Sequence, residues 1–195
     1  MVPLSITAKA GARALLAALA VTLALSGCTS QSRSQSDVAL SRAEWRAEIA
    51  SYPASTFTQD GLQTRYADAT ILDDSVQHGS QVEYLASDGT AYLWYPGNRR
   101  IVVGQWRTHG QDRGETFGSI CFRYGANTFN PATNRSGGSW NCVNGGLHII
   151  LEDQYTRGDP FQLATRHLPF VLDKDRSYTL ENIGTALGTF VKALP

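Results

Sequence analysis

From Val82 onward the chain alternates apolar and polar residues with a period of two, and turn residues interrupt the alternation at short intervals. That pattern restricts the fold more than any other feature, because a period of two puts every second side chain on one face of a strand. Val82–Ala86 reads as a strand and Ser87-Asp88-Gly89 as a turn. Thr90–Tyr95 follows, closed by Pro96-Gly97-Asn98. Arg100–Thr108 is a third strand, and Phe117–Tyr124 a fourth with Ile120, Phe122 and Tyr124 on one face. Ser139–Val143 and Leu147–Glu152 flank Asn144-Gly145-Gly146, which reads as a hairpin. Short strands joined by short turns predict a mainly β fold, an antiparallel meander closing into a small barrel or sandwich. Within it, Gly104 lets a ring or backbone approach closely, and Trp106 supplies a large apolar body whose indole N–H needs an acceptor. This pair is read as core architecture.

Helical spacing appears at both ends of this region. Over Ser41–Tyr52, Ser41 and Glu44 form a capping-box pattern, and Trp45, Ile49 and Tyr52 share one face. The segment predicts a short amphipathic helix that ends before Pro53 and packs on the main domain. After Pro160 the pattern weakens: Phe161–Val171 is expected to hold a further strand. Leu180, Ile183, Leu187, Phe190 and Leu194 then recur at helical spacing and predict a C-terminal helix, despite Gly184 and Gly188. These glycines match GxxxG, but the segment is not an apolar 20-mer, so a membrane dimer face is not indicated.

The first residues carry an address. Lys9 and Arg13 form a basic region, followed by an apolar run from Leu15 to Leu25. The run is about a dozen residues, short of the roughly 20 needed to span a bilayer as a helix. It ends in Leu25-Ser26-Gly27-Cys28, which resembles the lipobox of bacterial lipoproteins. The resemblance implies that residues 1–27 are a signal peptide and that the Cys28 thiol carries a diacylglyceryl group, with palmitate among the acyl chains. The membrane is then a partner through that lipid. Thr29 stands where an Asp would retain such a protein in the inner membrane, so the outer membrane is expected, with the domain facing the periplasm or the surface. The polar stretch TSQSRSQS reads as a tether, giving a lipidated cysteine and tether over 28–40 and one β-rich domain over 41–195.

The whole chain is formally neutral, and removing Lys9 and Arg13 with the signal leaves the rest slightly acidic. There is no basic stripe, so nucleic acid is not an expected partner. With Cys28 assigned to the lipid, Cys121 and Cys142 remain as an even pair in an oxidising compartment. A disulfide is expected, worth on the order of 3 kcal/mol for a loop of this length. The alternative, a reactive thiol or metal pair, has no CxxC spacing or adjacent histidine to support it.

The candidates for chemistry are few. His78, His109, His148 and His167 are scattered, and no two have metal-ligand spacing. His148 is read as an edge or satisfied histidine in an alternating strand. No GxSxG elbow occurs, and Arg135-Ser136-Gly137-Gly138-Ser139 lacks the lysine and helix of a phosphate loop. Glu152-Asp153 and the Asp173/Asp175 pair lie beside turns, and nothing positions them as a glycosidase pair. Arg157-Gly158-Asp159 reads as a turn before Pro160. No cofactor, metal site or catalytic constellation is expected, and the chain is read as a non-enzyme. The better candidate is the polar loop from Gly125 to Ser139, tied at both ends by the cysteine pair. Tyr124, Asn127, Phe129, Asn130, Asn134, Arg135 and Trp140 would supply its binding anchors. A merely tolerated insertion is the competing reading.

Tyr84, Asp88-Gly89-Thr90, Gly104-Gln105-Trp106, Cys121-Phe122-Arg123-Tyr124 and Cys142 together resemble a family of small, mostly alphaproteobacterial secreted proteins carrying a domain of unknown function. The same stretch is loosely similar to lipid-anchored lysozyme inhibitors and to small β-barrel protease inhibitors. These resemblances imply an envelope module that binds a protein or small-molecule ligand, inhibitor-like in kind. A structural envelope-assembly lipoprotein and a cell-wall hydrolase are the alternatives.

Overall fold

The computed structural model describes residues 41–194 apart from Val76, Asp112, Arg113, Glu115, Ala132 and Thr133. The expected signal, Cys28 and the tether lie outside the described residues. Among the described residues, no helix is long and apolar enough to cross a membrane.

Helix α1 (Arg42–Ser51) starts as the sequence predicts: the Ser41 hydroxyl accepts from the Glu44 amide at 3.3 Å, and the Glu44 carboxylate accepts from the Ser41 amide at 2.8 Å. Its apolar face packs inward, with Trp45 against Phe117 and Tyr52 against Phe57, each at 6.0 Å between ring centroids. A 3-10 turn (Ala54–Phe57) leads to α2 (Gln59–Tyr66), which the sequence pattern did not predict. Thr58 caps α2 by accepting from the Gly61 amide at 3.1 Å.

Among the described residues nine strands follow: β1 (Ala69–Ser75), β2 (Gly79–Leu85), β3 (Thr90–Trp94), β4 (Val102–His109), β5 (Ser119–Tyr124), β6 (Phe129–Asn130), β7 (Arg135–Ser136), β8 (Asn141–Asn144) and β9 (Gln154–Arg157). Seven of them form one sheet in the order β8-β5-β4-β3-β2-β1-β9, antiparallel throughout and curled into a half-barrel. The two-residue strands β6 and β7 pair only with each other. The mainly β antiparallel fold is thus as expected, and β1 to β5 are a meander.

Two local expectations fail. Leu147–Glu152 is not a strand: helix α3 (Gly145–Leu151) begins directly after β8. Asn144 takes φ −55° rather than the positive φ of a tight hairpin turn, and its side chain accepts from the amides of Gly146 and Leu147 at 3.0 and 3.3 Å. The residue therefore acts as a helix cap. His148 is accordingly on a helix, not in an alternating strand. Phe161–Val171 forms no strand either. A 3-10 turn at Leu163–Thr165 sits between Gln162 and Arg166, both with positive φ, and those reversals prevent an extended run.

Helix α4 (Leu180–Leu187) has its own capping box at Thr179 and Asn182. Gly188 ends it with φ 68°, so Phe190 and Leu194 fall outside the helix. Phe190 is 92 % exposed, and Leu194 instead bridges to Tyr155.

The sheet has a hydrophobic cluster on each face. On one face, Leu85, Ala91, Trp106 and Ile120 pack under Leu62, Tyr66 and Ile149 from α2 and α3. On the other face, Leu72, Val82, Tyr84 and Trp94 pack under the C-terminal segment, chiefly Phe161, Leu163, Leu172, Leu180 and Ile183. Trp106 plays the core role expected of it: it is buried, and its indole N–H donates to the Ala86 carbonyl at 2.8 Å.

Candidate functional site

The C-terminal segment packs over Leu72, Val82, Tyr84 and Trp94 on β1, β2 and β3. On that same face, strands β4, β5 and β8 keep several exposed side chains. Register decides which residues point there. Gln105 pairs with Arg123 and Arg107 with Cys121 across β4 and β5, and Cys121 pairs with Cys142 across β5 and β8. Cross-strand partners share a face, so Gln105, Arg107, Arg123 and both cysteines point outward together. Cys121 and Cys142 form the expected disulfide. It joins the neighbouring strands β5 and β8 and closes the loop between them.

Trp140, the last residue before β8, lies over this face between two arginines. The guanidinium carbon of Arg107 is 4.2 Å from the indole centroid and that of Arg123 is 4.9 Å. Each such contact contributes about 0.5–1 kcal/mol at an exposed site. Arg123 also donates from Nε to the Gln105 side-chain oxygen at 3.1 Å, which fixes the plane of the guanidinium. Arg135 donates to the Asn141 side-chain oxygen at 3.2 Å; Asn141 pairs with Phe122, so this contact belongs to the opposite side of edge strand β8. The outward positions of β4 and β5 are Val103, Gln105, Arg107, His109, Ser119, Cys121 and Arg123, none of them a carboxylate. The face is cationic and aromatic, and an adjoining disulfide holds it.

The loop residues expected to bind do not all meet there. Phe129 on β6 is 59 % exposed, and Asn127, Asn130 and Asn134 are exposed around it. Asn134 takes φ 52° at the turn into β7. Tyr124 points the other way, to the face of Trp106. Its ring lies over Gly104, where a Cβ would stand 2.5 Å from a ring carbon, and its hydroxyl donates to the Glu83 carboxyl on β2. The glycine of Gly104-Gln105-Trp106 thus admits a ring, as expected, and the ring is that of Tyr124.

Glu83 is one of a set of titratable groups on the Trp106 side of the sheet that sequence reasoning missed. It is 7 % exposed, and burial pushes its carboxyl up to about 7, against the hydrogen bond from Tyr124 and with the nearby Asp73 adding to the rise. Asp73 on β1 is itself pushed up to about 6, chiefly by burial; His78 opposes this and Asp153 adds to it. Asp73 accepts from Gln81 at 3.3 Å and lies 3.7 Å from the His78 Nε2.

A second buried cluster joins α2 to the end of α3. Arg65 donates from Nε to Glu152 at 3.1 Å, and the Tyr66 hydroxyl donates to the other Glu152 oxygen at 2.8 Å. Burial raises the Glu152 carboxyl, with Arg65 opposing. His148 packs edge-on against Tyr66 at 5.1 Å and is pushed down to about 4 by burial and by the Arg65 charge, so its ring is neutral. Arg65 also covers the Tyr155 ring at 4.6 Å, on the floor of an open groove of about 730 Å³ between α2 and β9. Glu152, which the sequence places beside a turn, is therefore a buried structural partner of Arg65.

The remaining candidates have local roles. Asp159 accepts from the amides of Leu163 and Ala164, each at 2.8 Å, and so caps the 3-10 turn. Asp173 accepts from the Asp175 amide at 3.0 Å. Among the described residues, no three His, Cys, Asp or Glu side chains group so as to hold a metal ion.

Arg107 and Arg123 were legible only in part. The alternation of β4 and β5 puts both on the polar side, but only the register brings them to one indole. Set against protein-family models, curated proteins and solved structures, the chain matches none.

Proposed function

We propose that this chain is a lipid-anchored envelope lipoprotein, attached through Cys28 and directed to the outer membrane. In this reading its outward, disulfide-tied face binds a protein or small-molecule partner. The observation that carries the reading is the stack of Arg107, Trp140 and Arg123 on a sheet face whose outward positions hold no carboxylate. Tryptophan and arginine dominate binding energy where they are held rigidly and flanked by exposed contacts. Here the β-ladder, the disulfide and the Gln105 contact hold them, and the 125–139 loop supplies the flank. Phe129, Asn130, Asn134 and Arg135 belong to that flank, and Tyr124 anchors the loop's start from the inside.

Binding rather than catalysis is the better reading of the buried carboxyls as well. Glu83 has the protonation range of an acid–base group, but a general acid must reach its substrate. Glu83 lies under Tyr124 and is 7 % exposed.

The test has two arms. Labelled palmitate should enter the chain and should fail to enter a Cys28→Ser variant. The mature chain, oxidised, should retain a partner from envelope extract or from a lysozyme and protease panel, and a chain lacking 126–138 should not. Retention that ignores both the loop deletion and Trp140→Ala would sink the assignment of this face.

A further inference from the structure

The chemistry of the outward face narrows the partner, on the reading that this face is the binding surface. Two guanidiniums stand 4.2 and 4.9 Å from one indole. Among the described residues neither Arg107 nor Arg123 is ion-paired with a carboxylate, and neighbouring strands offer none at outward positions. A protein partner would need several carboxylates placed to match. A layer of phosphates needs no such placement, because any lateral arrangement presents anions to both arginines. Phe129, in the loop closed by the same disulfide, keeps 59 % of its surface in water. An exposed phenyl ring, an indole and flanking arginines are the combination that settles at the boundary between headgroups and acyl chains.

We propose that this face docks on an anionic membrane leaflet, with Arg107 and Arg123 on lipid phosphates and the rings of Trp140 and Phe129 at the edge of the acyl region. A lipid on Cys28 would hold the domain near such a leaflet, and docking would then fix its orientation. Each arginine near an anionic surface raises partitioning about fivefold, so the pair gives on the order of 30-fold. The effect is screened by salt, since the guanidiniums face solvent.

The test uses the chain as isolated from cells, mixed with vesicles of phosphatidylcholine alone or with one third phosphatidylglycerol. Both vesicles carry a doxyl-labelled lipid that quenches tryptophan on contact. Subtracting the signal of a Trp140→Phe variant isolates Trp140 from the other three tryptophans. The expected result is quenching of Trp140 in phosphatidylglycerol vesicles at least fivefold above that in phosphatidylcholine. It should be lost in 0.5 M salt and in Arg107→Gln/Arg123→Gln, a variant checked for an unchanged thermal melt. If that variant does not fold, Phe129→Ser, at an exposed position, should lower the quenching instead. Equal or absent quenching in the two vesicles overturns the lipid proposal. If the same chain still retains a protein through its loop, the binding surface stands and its partner is a protein. If it retains nothing, both readings fall.

Discussion

The Tyr124 ring crosses Gly104 on β4 and places its hydroxyl on the Glu83 carboxyl of β2, three strands away in the sheet. That reach depends on the missing side chain at position 104. Gly104→Ala puts a methyl group into the ring and should destabilise the domain by about 1–3 kcal/mol, the usual cost of overpacking. In a Tyr124→Ala background the same change should cost much less. Urea unfolding of the four chains gives the coupling; equal costs in both backgrounds would mean that the ring does not occupy that site.

Glu83 should make stability depend on pH in a defined direction. Its folded carboxyl titrates at about 7, above the ordinary 4.5. The folded state therefore holds its proton longer than the unfolded state, and stability falls as pH rises through that window. The loss is on the order of 3 kcal/mol when complete. Glu83→Gln should remove it, making the variant more stable than the parent at pH 8 and close to it at pH 4.5. His148 works in the opposite sense: its folded value of about 4 lies below the ordinary 6.5, so its contribution is lost as pH falls. The two slopes oppose between about 4.5 and 6.5, and for that reason the parent-minus-variant difference is the informative quantity.

The Arg65–Glu152 pair should behave as a buried unit. The two side chains are 14 % and 5 % exposed. Glu152→Gln leaves the Arg65 charge without its counterion and should cost about 3 kcal/mol, while Arg65→Gln/Glu152→Gln should cost less than the sum of its parts. Thermal melts of the single and double variants measure this.

The disulfide is expected to secure the outward face more than the rest of the fold. Replacing Cys121 and Cys142 by serine should lower stability by about 3 kcal/mol. Limited proteolysis should move into 125–141 under reductant, and cleavage near α2 or α4 should not change first.

Legibility in the sequence followed burial. Strand β4 was the most readable because its buried residues, Gly104, Trp106 and Thr108, fall on one face, which leaves an alternating pattern. Strand β1 was invisible because Ala69, Thr70, Ile71 and Leu72 are all buried, two toward each face. Helix α2 carries Gly61 and few apolar residues, so its sequence shows no apolar stripe. Asn144-Gly145-Gly146 fits a hairpin turn and a helix cap equally well as a string. Packing decides between them: a Cβ at Gly145 would stand 2.6 Å from a Leu62 methyl, and α3 can start only in that close fit. Glu83 looked like the polar side of a strand, and nothing local records that a tyrosine far along the chain covers it. The disulfide, the Trp106 core and the first capping box were readable because each needs only local sequence or residue type.

The most direct test of the outward face is photo-crosslinking in living cells, with a benzophenone amino acid in place of Phe129 in one strain and of Phe190 in another. Both positions are exposed, but only the first belongs to the proposed surface. Protein or lipid adducts should form from position 129, should vanish when Arg123→Gln and Trp140→Ala are added, and should be absent from position 190. Adducts from position 190 alone, or adducts at 129 that survive those two substitutions, would contradict the assignment of function to this face.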